Sequence, residues 1–350
     1  MLDYLVIGLG LAGVSFCETL DKHHKTFVVV SDNSQTSSVV AGGLYNPVIL
    51  KRFTMAWMAQ EQLVTAMPFY LSLEKKLGAR FAYEVPVLRR FASVEEQNLW
   101  FEAMDKNGLN EFLSPNIHTN TNPNIDAPNS LGEVVKTGRI DTETLITSFE
   151  KQLTDRSVIR KETFDHNLLK VTEGHIEYKS LKAKQIVFAE GYGMKNNPYF
   201  NYLPLIGTKG EYVIIYAPEL KEESCIKSAI FCIPLGKDIY KVGANYERSD
   251  KTSATTQKAK DELLKKLDDL IKCDYMVVDQ VAGIRPTVTD RRPLVGQHPD
   301  YKSVYVLNGF GSHGVMIAPF AAQQLFNAIE NHEKLHPEMD IRRFDNRYKA

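Results

Sequence analysis

A chain of 350 residues, 43% hydrophobic and 24% charged, exceeds one ordinary domain and has globular composition, which excludes disordered and fibrous classes. Its 42 basic and 43 acidic side chains nearly cancel, so no long-range field draws it to nucleic acid or to an anionic membrane. Cys17, Cys225, Cys232 and Cys273 lack CxxC spacing and a matching histidine pair, so zinc and dithiol chemistry have no support and no metal is expected.

The apolar run 2–7, LDYLVI, and the β-branched run 26–31, TFVVVS, read as buried parallel strands, with a helix over Leu11–Lys22 between them. The start is short, broken by glycines and preceded by Asp3 rather than a basic region. It therefore reads as neither signal peptide nor membrane span, and a cytoplasmic protein is expected. Residues 53–77 predict a long helix that Pro68 kinks or divides, residues 81–92 a strand, and the Asn- and Pro-containing stretch 114–130 a loop. A helix over 140–153 leads to strands near 157–164, 168–179 and 183–189. Antiparallel strands follow at 210–217, 228–234 and 239–246, then an amphipathic helix over 259–271. A strand-turn-strand after 280, a strand at 304–307 and a helix over 315–331 complete the series. The basic pairs Lys51-Arg52, Arg89-Arg90, Arg291-Arg292 and Arg342-Arg343 read as solvated surface.

Gly8-Leu9-Gly10-Leu11-Ala12-Gly13 is a GxGxxG placed after a strand and opening a helix. Gly8 permits the turn, Gly10 lets backbone approach a pyrophosphate, and Gly13 lets the helix pack on the strand. The helix N-terminus offers unpaired N–H groups to the phosphates, and Asp32, at the end of the second strand, would accept a hydrogen bond from a ribose hydroxyl. This fingerprint serves NAD and FAD alike. The small-residue stretches Ser37–Leu44 and Gly309–Val315 would let backbone approach a flat ring. The second opens the last helix, whose N-terminus would stabilise negative charge on a reduced flavin.

The chain resembles the FAD-dependent D-amino acid oxidase superfamily, which includes glycine oxidase, sarcosine oxidase and D-amino acid dehydrogenases. The segments that carry the resemblance are GLGLAG (8–13), SSVVAGGLYNP (37–47), GRID (138–141), VFAEGYG (187–193), PLIGTKGE (204–211), GIRPTVTDRRPLVG (283–296) and LNGFGSHGVMIAP (307–319). The resemblance implies an α/β chain, α+β overall, of glutathione-reductase-type flavoprotein architecture. A discontinuous Rossmann-like FAD domain would take residues 1–70, 137–200 and 281–350, and a mostly antiparallel substrate domain residues 71–136 and 201–280. The flavin contacts it implies are Gly8, Gly10, Leu11, Ala12, Gly13, Asp32, Ser38, Ala41, Gly42, Gly43, Leu44, Phe164, Ala189, Gly191, Gly309, Gly311, Ser312, His313, Gly314 and Val315. His313 would lie against the flavin or merely finish a turn.

By motif position Arg285 would hold a substrate carboxylate, while Tyr240 and Tyr246 would border the substrate or simply pack. With no cysteine near 283–319, FAD is expected to be non-covalent. The implied reaction is oxidation of the C–N bond of a small amine or amino acid by hydride transfer to flavin N5, with oxygen, a quinone or a partner protein as electron acceptor. AGGLYNP, GANYE and GFGSHGVMIAPFAAQQL are also similar to the oxidase half of bifunctional tRNA wobble-uridine enzymes, so oxidation of a carboxymethylaminomethyl group on tRNA is the alternative. The near-zero net charge favours the small molecule, whereas the basic tail Arg342 to Lys349 would hold a few phosphates. A nicotinamide dehydrogenase and a flavin-binding protein without amine turnover are the remaining alternatives.

Overall fold

Four consecutive buried residues end strand Leu2–Ile7, and three valines fill strand Phe27–Val30, the pattern of strands covered on both faces. In the structure, a computed structural model that describes residues 1–348, these strands pair in parallel, with Tyr4 opposite Phe27 and Ile7 opposite Val30. Strand Leu181–Phe188 pairs in parallel on the other side, and strand Val304–Asn308 lies beyond it. The resulting eight-stranded sheet gathers segments from the beginning, middle and end of the chain. Helices Leu11–Lys22, Ala59–Leu77, Thr142–Asp155 and Gly314–Glu330 cover one face through Phe16, Tyr70, Phe149 and Leu325. Ile176, Phe188 and Phe200 fill the other face.

A second eight-stranded sheet runs, in spatial order, Met276–Arg285, Thr208–Tyr216, Ile239–Gly243, Phe231–Gly236, Cys225–Lys227, Val87–Arg90, Leu131–Val134 and Leu113–His118. Alternation along the strands gives it two faces. Val213, Ile215, Tyr240 and Val242 point to the back, where they pack on Leu263 and Leu267 of helix Gln257–Asp268. Tyr212, Ile233, Gly243 and Arg285 lie on the front, toward the first sheet's cofactor edge.

Several elements depart from the sequence reading for definable reasons. Helix Ala59–Leu77 runs unbroken through Pro68 and starts later than expected. The carbonyl that proline deprives of a donor belongs to Val64, which is 71% exposed and open to water. Phe53 sits instead in a tight turn at positive φ, buried edge-on against Trp100. Residues 113–118 form a strand rather than a loop, with Pro115 tolerated because the strand lies at the sheet's edge. The strand expected over 81–92 breaks at Pro86, its first half pairing with Gly138–Ile140 and its second joining the second sheet. Residues 70 and 281, at which the expected domains divide, lie within helix Ala59–Leu77 and strand Met276–Arg285.

Candidate flavin and substrate site

The GxGxxG glycines are dictated by close approach. Gly8 has φ +96°, and a Cβ there would stand 2.5 Å from the Ala189 carbonyl oxygen; a Cβ at Gly13 would stand 2.1 Å from that of Gly8. Gly10 caps helix Leu11–Lys22 with no side-chain cap and no acid in the first turn. The Leu11 N–H donates to Ser38 Oγ at 3.2 Å. Asp32 accepts from the Ser34 N–H and from Thr163 Oγ1, each at 2.9 Å. Burial works to raise this carboxyl, but these hydrogen bonds hold it below the usual range, so it stays an acceptor.

Loop Ser37–Leu44 is clamped between strand Gly138–Ile140 and the second eight-stranded sheet. A Cβ at Gly43 (φ +71°) would stand 1.9 Å from the Ile140 carbonyl oxygen, and one at Gly42 would stand 2.8 Å from Ile233 Cδ1 and 3.1 Å from the Tyr212 hydroxyl. Lys241 Nζ donates to the Val40 and Ala41 carbonyls at 3.3 and 3.1 Å. Burial, with Arg139 nearby, lowers this lysine's pKa. Opposite the loop, Gly309 and Gly311 take positive φ, and helix Gly314–Glu330 starts at His313 without a side-chain cap. A Cβ on Gly314 would stand 3.3 Å from Leu11 Cδ1, so the starts of the first and last helices are neighbours. Burial lowers the His313 imidazole, which favours its neutral form.

One cleft of about 1720 Å³ joins these parts. A site for one drug-sized ligand takes roughly 300–1,000 Å³, so the cleft has room for a dinucleotide and a substrate together. Two uncapped helix starts, a glycine-lined approach and an acceptor at the end of the second strand suit an anionic adenine dinucleotide with a flat ring. FAD fits this donor set. Residues 8–12, 38–44, 189–191 and 309–315, with Asp32 and Phe164, line the cleft, while Gly13 lies behind it. Cys17, Cys225 and Cys232 are buried away from the lining, and Cys273 is also absent from it.

Arg285 reaches the cleft from the edge of the second sheet. Its guanidinium lies over Gly210, where a Cβ would stand 2.1 Å from Nη2, and 4.5 Å from the centre of the Tyr246 ring. It makes only long hydrogen bonds, to the Lys209 and Asn245 carbonyls at 3.4 and 3.3 Å, and no carboxylate among the described residues pairs with it. Tyr246 is 67% exposed and its hydroxyl donates to Ser312 Oγ at 3.5 Å, bridging the second sheet to the glycine turn. Tyr240 does not border this space. It is 3% exposed in the core behind the sheet, and its hydroxyl accepts from the Glu222 N–H at 3.1 Å.

Sequence reading passed over Lys241, Tyr212 and Asn245. The available signal was a lysine between inward-facing Tyr240 and Val242, on the opposite side of a strand. The basic pairs divide. Arg89 and Arg90 are held by Glu96 and Asp126, whereas Lys51, Arg52 and Arg291 are exposed on the cleft lining. In the tail, Arg342 and Arg343 pair with Asp340 and Asp290, and Lys349 lies outside the described residues. No group of three His, Cys, Asp or Glu among the described residues is placed to hold a metal ion. No helix among them is long and apolar enough to cross a membrane.

A dinucleotide cleft between a sheet with a parallel core and a mostly antiparallel sheet defines the class, a flavoprotein-type fold. The chain belongs to the DAO family of FAD-dependent oxidoreductases, whose model matches residues 3–328, and it is accordingly an FAD-dependent oxidoreductase. It is similar in fold to glycine oxidase from Geobacillus kaustophilus, with TM-score 0.81 and 17% identity, covering 98% of this chain and 97% of that one. It is likewise similar to L-proline dehydrogenase from P. horikoshii, with TM-score 0.76 and 15% identity, covering 99% and 98%. At such identities the likeness speaks for the fold alone. The tRNA 5-methylaminomethyl-2-thiouridine biosynthesis bifunctional protein of Azoarcus sp. (strain BH72) is 24% identical over 181 residues, which span 46% of this chain and 28% of that protein.

Proposed function

We propose that the protein oxidises the C–N bond of an amine bearing a carboxylate, with Arg285 as the carboxylate ligand. The observation that carries this reading is a guanidinium in the cleft with no acid partner, supported on Gly210 and on the face of Tyr246. Its planar fork suits bidentate binding of a carboxylate, and the ring supports it without supplying a competing charge. FAD, when bound, supplies the redox chemistry by accepting a hydride from the carbon next to nitrogen. Arg285 orients the substrate, and Tyr246 with Ser312 narrows the opening above it. The amine is oxidised to an imine, which water hydrolyses to an oxo acid and the freed amine. No side chain need take a proton if the amine binds neutral.

We further propose that FAD is held without a covalent bond by the two helix starts, loop 37–44 and Asp32, with no cysteine at hand to attach it. Glycine, sarcosine, proline and D-amino acids, each incubated with the protein and an artificial electron acceptor, test the reaction. The expected product from at least one of them is the matching oxo acid, released with ammonia or an amine, or for proline a single amino-oxo acid opened from the ring imine. A second reading, oxidation of a carboxymethylaminomethyl group on tRNA, draws support from the tRNA-enzyme relative and from exposed Lys51, Arg52 and Arg291 on the cleft lining. Nucleoside analysis of tRNA carrying that group would then show conversion to 5-aminomethyluridine, falling steeply with salt.

A further inference from the structure

The ladder register sets Tyr212 opposite Gly243, Gly243 opposite Phe231, and Phe231 opposite Lys227. Residues in one such row share a face. Thr208, four residues before Tyr212 and therefore on the same face, is opposite Arg285. Arg285, Tyr212, Phe231 and Lys227 all line the cleft. Lys227 lies four strand spacings across the sheet from Arg285, roughly 19 Å at about 4.8 Å each, and four residues along it, about 13 Å, so the two positions stand roughly 23 Å apart.

The far end has its own unfulfilled polar group. The Lys227 ammonium is half-buried, 4.4 Å from the centre of the Phe231 ring, and its one hydrogen bond among the described residues goes to the Ala229 carbonyl at 3.4 Å. Lys227, Ala229 and Phe231 line the cleft here, while Ser228 between them is buried and does not. Arg89, opposite Lys227 on the neighbouring strand, donates to the Ser228 carbonyl at 2.9 Å, and Glu96 holds its charge. Glu262, the acid on this stretch of the lining, is already held by Lys266 at 2.5 Å. Burial, with Arg89 as a lesser cause, pushes Lys227 down to about 8, so most of it is still charged at neutral pH. A half-buried ammonium with no counter-ion among the described residues is costly unless an anion visits.

We propose that Lys227 forms an anion subsite that takes a phosphate group of the substrate, so that the substrate spans the cleft from Arg285 to Lys227. The placement of the carboxylate at Arg285 rests on the function proposed above; the phosphate subsite does not. A span of roughly 23 Å exceeds a free amino acid and suits an amine carried on a frame of nucleotide size or larger.

Calorimetric titration of the FAD-loaded protein with inorganic tripolyphosphate reads the subsite without turnover. Saturable binding is expected, weakened about tenfold or more by Lys227→Ala and largely kept by Lys227→Arg. Equal affinity in wild type and Lys227→Ala, at equal flavin content, would overturn the subsite. Adenosine monophosphate and a short single-stranded RNA then compete for the bound tripolyphosphate. Displacement by the mononucleotide supports a free nucleotide-sized substrate, displacement by RNA alone supports a phosphodiester backbone, and displacement by neither overturns the proposal. Failure of every amine to be oxidised while Lys227-dependent binding persists would count against the C–N reading and leave the subsite standing.

Discussion

Arg285 concentrates the chemistry of the substrate end, because its charge meets only two long carbonyl contacts and an aromatic face. A charge-assisted pair to a carboxylate is worth roughly 1.5–3 kcal/mol, so Arg285→Ala should lower kcat/KM by about ten- to a hundredfold or slightly more. Flavin content should hold, since the side chain stands on the second sheet, away from the glycine approach; loss of flavin in step with activity would speak against a substrate role. The cysteines make a separate case at this scale. Burial pushes Cys17 and Cys225 far up and Cys232 to about 12, while Cys273 is only half-buried. A thiol reagent at pH 8 should therefore label Cys273 first and the others only as the protein unfolds. Rapid labelling of several thiols in the native state, read by mass spectrometry, would contradict this.

Among the elements, the strand-turn-helix at the start was legible because its glycines answer hard constraints, positive φ at Gly8 and contact at Gly13. Gly8→Ala adds a Cβ 2.5 Å from a carbonyl oxygen at φ +96°, whereas Gly78→Ala, at a helix end with nothing within 4 Å, meets only the left-handed backbone. The second change should cost about 1 kcal/mol and leave FAD in place. The first should cost several-fold more and abolish FAD retention, as thermal melts and flavin absorbance will tell; equal effects would mean that the turn does not need its glycine. The second sheet was legible as antiparallel strands but not in its facing. Tyr240 and Lys241 are adjacent, and only the register, with Tyr212 opposite Gly243, decides that the lysine faces the flavin loop and the tyrosine the core. Pro68 and Pro115 misled for a related reason: whether a lost donor matters depends on solvent and sheet edge, which one sequence does not reveal.

For the molecule as a whole, the cofactor bridges parts that are remote in sequence, from Gly8 through loop 37–44 to Gly314. FAD bound only by the folded state should add about 2.7 kcal/mol of stability at a hundredfold excess over Kd, raising Tm relative to the stripped protein. Acid precipitation should release all the yellow colour as FAD, and colour left in the precipitate would refute non-covalent binding. Overall charge balance suggested a small substrate, yet Glu150 and Glu162 line the cleft beside the Asp32 turn, and Lys51, Lys227, Arg285 and Arg291 line it with no acid partner among the described residues. That arrangement arises only on folding, which joins Lys51, Lys227, Arg285 and Arg291 in one lining.

Anaerobic titration of the yellow protein with carboxylated amines and their matching amides, following loss of flavin absorbance, tests the C–N reaction and the role of Arg285 together. Bleaching by at least one acid, with its amide at least about tenfold slower, is the predicted result. Absorbance unmoved by any amine, or acid and amide bleaching at the same rate, would contradict it.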